Sequence, residues 1–440
     1  MTTAMPVVAT TTVAPTPEAD PSALDRCFGG GPQPFEQAWQ CAPLIGHDRS
    51  GAAFADVLDV GAVDELITTR ALRHPAFRLV RDGDTLSRSG FTSTRRWGAT
   101  RYEGVIDPAR TVAALADGAT LVLQALHTYW VPLGRFCADL HAALGHPTQA
   151  NAYLTPAAER GLGLRYDTHD VVVLQTAGHK RWEIFAPRFE SPLGSQHWSE
   201  VGGGEDLDDG DLTPVLETVL GPGDCLYLPR GFVHRVVSED EASLHVTVGI
   251  HVQTWHHVLA DLLAAAAEDP VLRQALPSAV LDGREAADPA VLERQVKELL
   301  GSVDLAERVA TLGGGAWAQY AGTHEGTLTE VVAPGPLDDS TVLARRPGPV
   351  RIEDGADGRV ALVLTDRTVR FPAAARPALD AVLAAGGAFP LGDLAPFLDE
   401  PSRVVFTRRL LREGVLRRAE LAPDPPAMTG GSGARTDLDG

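Results

Sequence analysis

The chain has 440 residues, which at roughly 100–200 residues per domain implies two or three domains. Hydrophobic residues make up 44% and charged residues 22%, excluding a wholly disordered chain, and the 44 glycines and 32 prolines follow no collagen-like period. Lys+Arg total 38 against 58 Asp+Glu, a formal net charge of −20, which repels nucleic acid phosphates and favours solubility or a basic partner. No apolar run approaches the ~20 residues of a membrane helix, so no membrane partner is expected. The first twenty-odd residues lack a basic start and a compact apolar block, and read as a disordered tail, not a signal peptide. The four cysteines, Cys27, Cys41, Cys137 and Cys225, show no metal-site spacing, and a chain this size needs no disulfides. A reducing, cytoplasmic setting is expected.

Phe35–Ile45 has apolar residues at helical spacing, broken by Pro43, and short helical patterns follow around Val57–Pro75. Ala119–Gln124 fits a short buried strand. Trp130–Leu144 presents Val131, Leu133, Phe136, Cys137, Leu140 and Leu144 on one helix face. Between Gln149 and Val252 short β-rich runs alternate with turn signals: NAYLT, VVVLQT, RWEIFAP, DCLYLP, VHRVVS and LHVTVGIHV. This spacing predicts a β-sandwich or barrel. Gly202–Asp211, rich in glycine and acid, reads as a solvated loop. After Trp255 the pattern turns helical, over His257–Ala267 and Ala290–Leu300. Pro334–Pro349 reads as a linker. Val350–Leu421 then reads strand, helix, helix, helix, strand. Near its end Arg403, Arg408, Arg409, Arg412, Arg417 and Arg418 cluster, diluted by Asp393, Asp399, Glu400 and Glu413, which weighs against nucleic acid binding.

The informative blocks are GLGLRYDTHDVVVLQTAGHKRWEIF, from Gly161, and LYLPRGFVHRVV. Strand alternation would put Arg165, Asp167 and His169 on one face. His234 follows a Pro-Arg-Gly turn between two apolar strands. Two nitrogens and one carboxylate with open positions form the facial triad of non-haem Fe(II) oxygenases. These two blocks resemble the cupin-type JmjC 2-oxoglutarate oxygenases known as ribosomal oxygenases, and the likeness runs over most of the chain after about Phe35. It implies an α+β fold: a double-stranded β-helix (cupin/JmjC) barrel with flanking helices, a helical dimerisation segment and a C-terminal winged helix. The expected division is a disordered tail at 1–30, the barrel domain with its N-terminal helices at 31–254, the dimerisation segment at 255–335, the winged helix at 345–425 and a second disordered tail at 426–440.

The resemblance implies Fe(II) and 2-oxoglutarate as cofactors and a His-x-Asp pair plus a distal His as iron ligands. Alignment on the motif puts the Asp at Asp167 and the distal His at His234. The first ligand position falls on Arg165, a departure, because a guanidinium stays protonated and has no lone pair to offer. Arg165 is instead suited to pair with Asp167. Three readings stay open: His169 substitutes as the third ligand, although a shift of one pleat moves a ligand roughly 6–7 Å; Asp167 and His234 hold metal weakly; or the iron site is lost.

By the same resemblance Lys180 binds the distal carboxylate of 2-oxoglutarate, and Asn151 lies at the position of an active-site Asn; the alternatives are a hairpin lysine and a turn cap. Ser243 and Thr247 share a strand face and either reach the cavity or are structural. His245 lies on that face as a core or supporting histidine, and Asp170 and Tyr166 are weaker candidates. The function implied is hydroxylation of ribosomal or other protein side chains, with a ribosomal protein as partner and a homodimer as the assembly. The competing readings are a catalytically silent binding module on the same fold, a peptide or small-molecule tailoring oxygenase, and a sugar-isomerase-like cupin that would leave Lys180 without a task.

Overall fold

The structure is a computed structural model, described for residues 9–13, 22–29, 33–48, 54–81, 83–157, 163–198, 213–286, 288–320, 325–355 and 358–419. The expected loop at Gly202–Asp211 and the tail at 426–440 lie outside these residues.

Seven strands build the centre: Thr148–Thr155 (β1), Asp170–Ala177 (β2), Lys180–Pro187 (β3), Leu216–Leu220 (β4), Cys225–Leu228 (β5), Phe232–Ser238 (β6) and Ser243–Ile250 (β7). Each covers one of the β-rich runs or a neighbour of it. They divide between two sheets. The larger carries β5-β2-β7-β1, extended on one side by Leu44–Asp48 and on the other by Thr120–Leu123 and Phe77–Arg81. The smaller is β4-β3-β6, all antiparallel.

Period-2 alternation gives the large sheet two unlike faces. Val172 and Leu174 of β2, Leu244, Val246 and Val248 of β7, and Ala150 and Ala152 of β1 join a core with Leu133, Phe136 and Leu140 of the helix Val131–Leu144. Pro132 at the start of that helix and Gly145 in the left-handed region at its end delimit it. The opposite residues of β2, Val171 and Val173, pack against Trp182 and Ile184 of β3 and Phe232 and Val236 of β6. That second core closes only part of the space between the sheets. The remainder is lined by polar residues of β1, β7, β3 and β6, whose inward positions are fixed by register. Thr247 faces Asn151, His245 faces Tyr153, and Ser243 faces Thr155. Ile184 faces His234 on the other sheet.

Several expectations need correction. Arg165, Asp167 and His169 are not successive residues of a strand. They lie in an irregular segment before β2, in which only Arg165 forms a bridge, to His234. The expected 1–30 tail contains an ordered edge strand, Ala9–Val13, parallel to Leu44–Asp48, and a helix, Ala23–Phe28, with Cys27 and Phe28 buried. The expected linker at Pro334–Pro349 contributes a strand, Val342–Arg345, paired with Leu416–Arg418. Helices follow the barrel at Trp255–Ala266, Pro289–Ser302 and Leu305–Tyr320. Beyond them a C-terminal unit has its own core, including Leu343, Leu362, Leu379, Leu391 and Leu410. It contains a sheet of Arg351–Asp354, Arg359–Val363 and Thr368–Pro372 and the helices Arg376–Ala384 and Glu400–Arg412. Among the described residues no helix is long and apolar enough to cross a membrane, and the four cysteines are unbridged.

One buried ionic cluster ties β2 to the turn before β6. Asp170 is fully buried, accepts from the Tyr227 hydroxyl at 2.6 Å and from the Arg230 backbone N–H at 3.2 Å, and faces Arg230 Nη1 at 3.3 Å. Removing one partner of such a pair strands the other charge away from water. Asp170→Asn is therefore expected to lower unfolding free energy by about 3–5 kcal/mol, read by urea denaturation. A loss within the error of the titration would show that Arg230 finds water in the variant.

Candidate cosubstrate and metal site

The polar space between the sheets is organised by three segments. The first is 163–169. Arg165 exchanges two backbone hydrogen bonds with His234, at 3.2 and 2.8 Å, and the Gly231 N–H donates to the Asp167 carbonyl at 3.0 Å. This lays the segment along β6 and brings Asp167 Oδ2 to 3.8 Å from His234 Nε2. Two of the proposed ligands are thus neighbours. The His234 ring is buried against Trp182, with ring centres 5.9 Å apart, and its Nδ1 lies 3.2 Å from the Phe232 carbonyl.

His169 does not join them as a third donor. Its ring lies over Gly249, where a Cβ would come within 2.6 Å of it, and stacks on His251 at 5.3 Å. Gly249 thus makes the room that draws the imidazole aside, which corrects the expectation of His169 as a metal ligand. Arg165 does not ion-pair with Asp167 among the described residues; instead its Nη1 is buried and makes no hydrogen bond. A facial triad needs three converging donors. Here the third position is a guanidinium, and among the described residues no group of three or more His, Cys, Asp or Glu can hold a metal. An Fe(II) centre of the expected kind does not fit this set of side chains.

The second and third segments are the facing ends of β3 and of the β1–β7 pair. Lys180 is buried between the sheets, with its Nζ 3.0 Å from Thr155 Oγ1 and 3.4 Å from His245 Nδ1. His245 stacks flat on Tyr153, with 4.9 Å between ring centres and 3° between planes, and meets Trp182 edge-on at 6.0 Å. No carboxylate pairs with Lys180 among the described residues. A buried ammonium with a hydroxyl beside it and no counter-ion suits one carboxylate of 2-oxoglutarate. That cosubstrate fits where the metal does not.

The other candidates are engaged in holding the barrel. Asn151 Oδ1 accepts from the Ala125 N–H at 3.0 Å, at a backbone position in the left-handed region. Ser243 Oγ, buried, accepts from Gln175 Nε2 at 3.1 Å. Tyr166 donates to the Gln196 carbonyl at 2.8 Å. Thr247 lies opposite Asn151. Sequence reasoning missed Thr155, Tyr153 and Trp182, although the alternation that flagged Ser243 and His245 would have found Tyr153 and Thr155 once β1 was paired with β7.

Charge in this space is one-sided. Burial, and then the nearby Arg165 charge, hold Lys180 down to about 7. Burial, then Lys180 and Arg165, push His245 well below the usual histidine value. Burial and Arg165 likewise depress His234, against the pull of Asp167. For Asp167 burial is the largest influence and acts upward, but His234, His169 and Arg165 together outweigh it and keep the carboxyl below its usual value. Arg165 thus acts on residues of both sheets.

Comparison with known proteins now assigns the class. Residues 131–258 match the JmjC domain family, which spans the helix Val131–Leu144 and all seven strands. The architecture is that of a JmjC-type double-stranded β-helix. Among curated proteins the chain is 34% identical over 194 residues to rat ribosomal oxygenase 1, covering 41% of this chain and 32% of that protein. It is 31% identical over 246 residues to the bifunctional lysine-specific demethylase and histidyl-hydroxylase NO66 of Drosophila persimilis, covering 54% and 34%. The chain therefore spans about a third of the length of these relatives. Among solved structures, the Escherichia coli ribosomal oxygenase YcfD in complex with cobalt and 2-oxoglutarate superposes with a TM-score of 0.51 at 17% identity, over 88% of this chain and 98% of that one. The central region thus matches the JmjC domain family, and over part of its length the chain is similar to proteins named as a ribosomal oxygenase and a histidyl-hydroxylase.

The burial of Lys180 predicts a pH-dependent stability. Its folded value, about 7, lies below the ordinary 10.5. Between those values the unfolded chain binds more protons than the folded one, so Lys180's contribution to stability rises with pH, by at most about 1.4 kcal/mol per pH unit. Below about pH 7 the full burial penalty is present. Lys180→Met should therefore be most stabilised relative to the native chain near neutral pH, with the gap closing as pH rises toward 10. Urea titrations at several pH values measure it; a gap that stays constant would mean that Lys180 is neutral or well solvated throughout.

Proposed function

We propose that this chain is a ribosomal-oxygenase-type JmjC protein that takes 2-oxoglutarate on Lys180 and engages a side chain of a protein partner at the barrel mouth, with an iron centre that the native sequence leaves incomplete. The observation that carries the reading is Lys180: buried, uncompensated and hydrogen-bonded to Thr155 in the space that also holds Asp167 and His234. In the hydroxylases this domain resembles, iron supplies the oxidising chemistry. In this chain two donors remain and Arg165 stands in the third position, so no oxidative step is assigned to the native protein. What its residues do is bind. Lys180 and Thr155 fix a carboxylate, Trp182 and the valines of β2 exclude water on one side, and the Asp167–His234 pair marks the end of the space nearest the irregular segment.

A ribosomal protein suits the partner role, since the −20 net charge complements a basic polypeptide. The same charge argues against nucleic acid. So does the C-terminal unit, where Arg403 pairs with Asp339, Arg409 with Glu413 and Arg418 with Glu330. That unit, taken as 345–425, we read as a winged helix. The helices of 255–335 leave Trp255 74%, Leu259 64% and Leu263 73% exposed, a surface that suits a homodimerisation segment. The 31–254 stretch is the barrel domain in this reading, and the setting is cytoplasmic.

The test compares the native chain with Arg165→His. Histidine at this position supplies the missing lone pair and removes the fixed cation beside Asp167 and His234. The variant should bind Fe(II) more tightly and release succinate from 2-oxoglutarate, while the native chain shows neither above background. Adding Lys180→Ala should abolish the gain. If the native chain turns over 2-oxoglutarate as fast as Arg165→His, the incomplete-centre reading is wrong and another donor completes the site.

A further inference from the structure

We propose that Arg165 takes the place of the metal as the second anchor of the cosubstrate pocket, making a C5 dicarboxylate ligand bridge Lys180 and Arg165 with no metal ion. The inference rests on the reading above that Lys180 receives one carboxylate, and it adds the partner of the other end.

Four observations carry it. Arg165 is held in place through its backbone, by the two hydrogen bonds to His234, so its side chain is free to serve the interior. Among the described residues its buried Nη1 meets no hydrogen-bond partner. A donor of a fixed cation is costly to leave in that state and gains most from an anion. Among the described residues Lys180 makes its polar contacts with Thr155 and His245 alone. The backbone pairing sets Arg165 beside His234, and its charge acts on Lys180, His245 and His234 together. Two cations facing one interior, opposed by the single carboxylate of Asp167, form a site short of negative charge. A dicarboxylate supplies two negative charges on one short chain, and the planar guanidinium accepts a carboxylate through two parallel N–H groups.

The chemistry separates this site from a metal-centred one. Iron chelates a 2-oxo acid through the keto oxygen and the adjacent carboxylate together. A guanidinium needs only the carboxylate. Glutarate, which has the same carbon chain without the keto group, should therefore bind the native chain about as well as 2-oxoglutarate does.

Isothermal titration calorimetry of the full chain with 2-oxoglutarate and with glutarate, each in EDTA and again with Mn(II), tests this. The expected result is binding of both acids in EDTA, with affinities within a few-fold of each other and unchanged by Mn(II). Arg165→Gln, with its fold checked by circular dichroism, should weaken both at least about tenfold. Arg165→Lys, which keeps a cation but loses the fork, should fall between. In Arg165→His the preference should invert, with 2-oxoglutarate requiring Mn(II) and glutarate binding poorly. If the native chain binds 2-oxoglutarate only with Mn(II), or binds it in EDTA while rejecting glutarate, Arg165 is not the anchor, although the Lys180 pocket stands. Unchanged affinity in Arg165→Gln overturns the inference in the same way. If neither acid binds with or without metal, the 2-oxoglutarate reading fails, and the Arg165 inference with it. The EDTA and glutarate arms use the native chain alone, so they decide the matter even if a variant does not fold.

Discussion

Everything in the barrel interior depends on the buried contact of Asp170 with Arg230 and Tyr227. Asp170 opens β2, and Arg230 sits in the turn that leads into β6. Their contact ties the start of β2 in the larger sheet to the turn that leads into the smaller one. Tyr227 extends the chain of bonds by accepting from the Gln40 N–H at 2.9 Å while donating to Asp170. Buried ionic groups of this kind add little net stability compared with apolar replacements, but they tolerate few alternative arrangements. Here the arrangement they select lays residues 163–169 along β6. The approach of Asp167 to His234 goes with that placement, since both lie where the segment's backbone is bonded to β6 and its turn.

The two faces of the large sheet divide the work. The face packed on helices is apolar and continuous, from Ala150 through Val172 to Val248. The inner face is apolar at one end and polar at the other. Water excluded by the apolar end makes every charge at the polar end act over a longer distance. That is why one guanidinium affects residues on β3, β6 and β7 at once, and why the ammonium of Lys180 is held so far from its ordinary basicity. The same condition makes the site selective. On the proposed reading a neutral ligand leaves both cations unanswered, whereas an anion pairs with them.

Much of this was legible in the sequence. Each β-rich run became a strand, because alternating apolar residues have only one way to bury a single face. Helix Val131–Leu144 lies where the apolar spacing of Trp130–Leu144 indicated. The two motifs singled out Asp167, His234 and Lys180, which the structure sets at the polar space between the sheets. The same rule of alternation failed for Arg165, Asp167 and His169, since it applies only where a strand exists, and this segment is pinned by three contacts to β6 and its preceding turn. Their partners lie more than sixty residues away, and local pattern carries no record of them. Thr155 was missed for a similar reason: its role is created by Lys180 from the other sheet. The strand Val342–Arg345 lay hidden in a proline- and glycine-punctuated stretch because its partner, Leu416–Arg418, comes some seventy residues later.

The backbone bridge between Arg165 and His234 has a consequence for where this protein can operate. The bridge uses main-chain atoms alone, so it asks of residue 165 only a backbone N–H and C=O. An iron centre takes its positive charge from the surroundings, loses it under iron starvation, and generates radicals from peroxide when its metal is reduced. A charge carried on a covalently attached guanidinium is present from the moment the chain folds. It has no exchange equilibrium with the cell's iron pool and no accessible redox couple. The interior of this barrel therefore keeps the same electrostatic character in iron-poor and oxidising surroundings, where a metal-loaded barrel of the same shape would be empty or damaged.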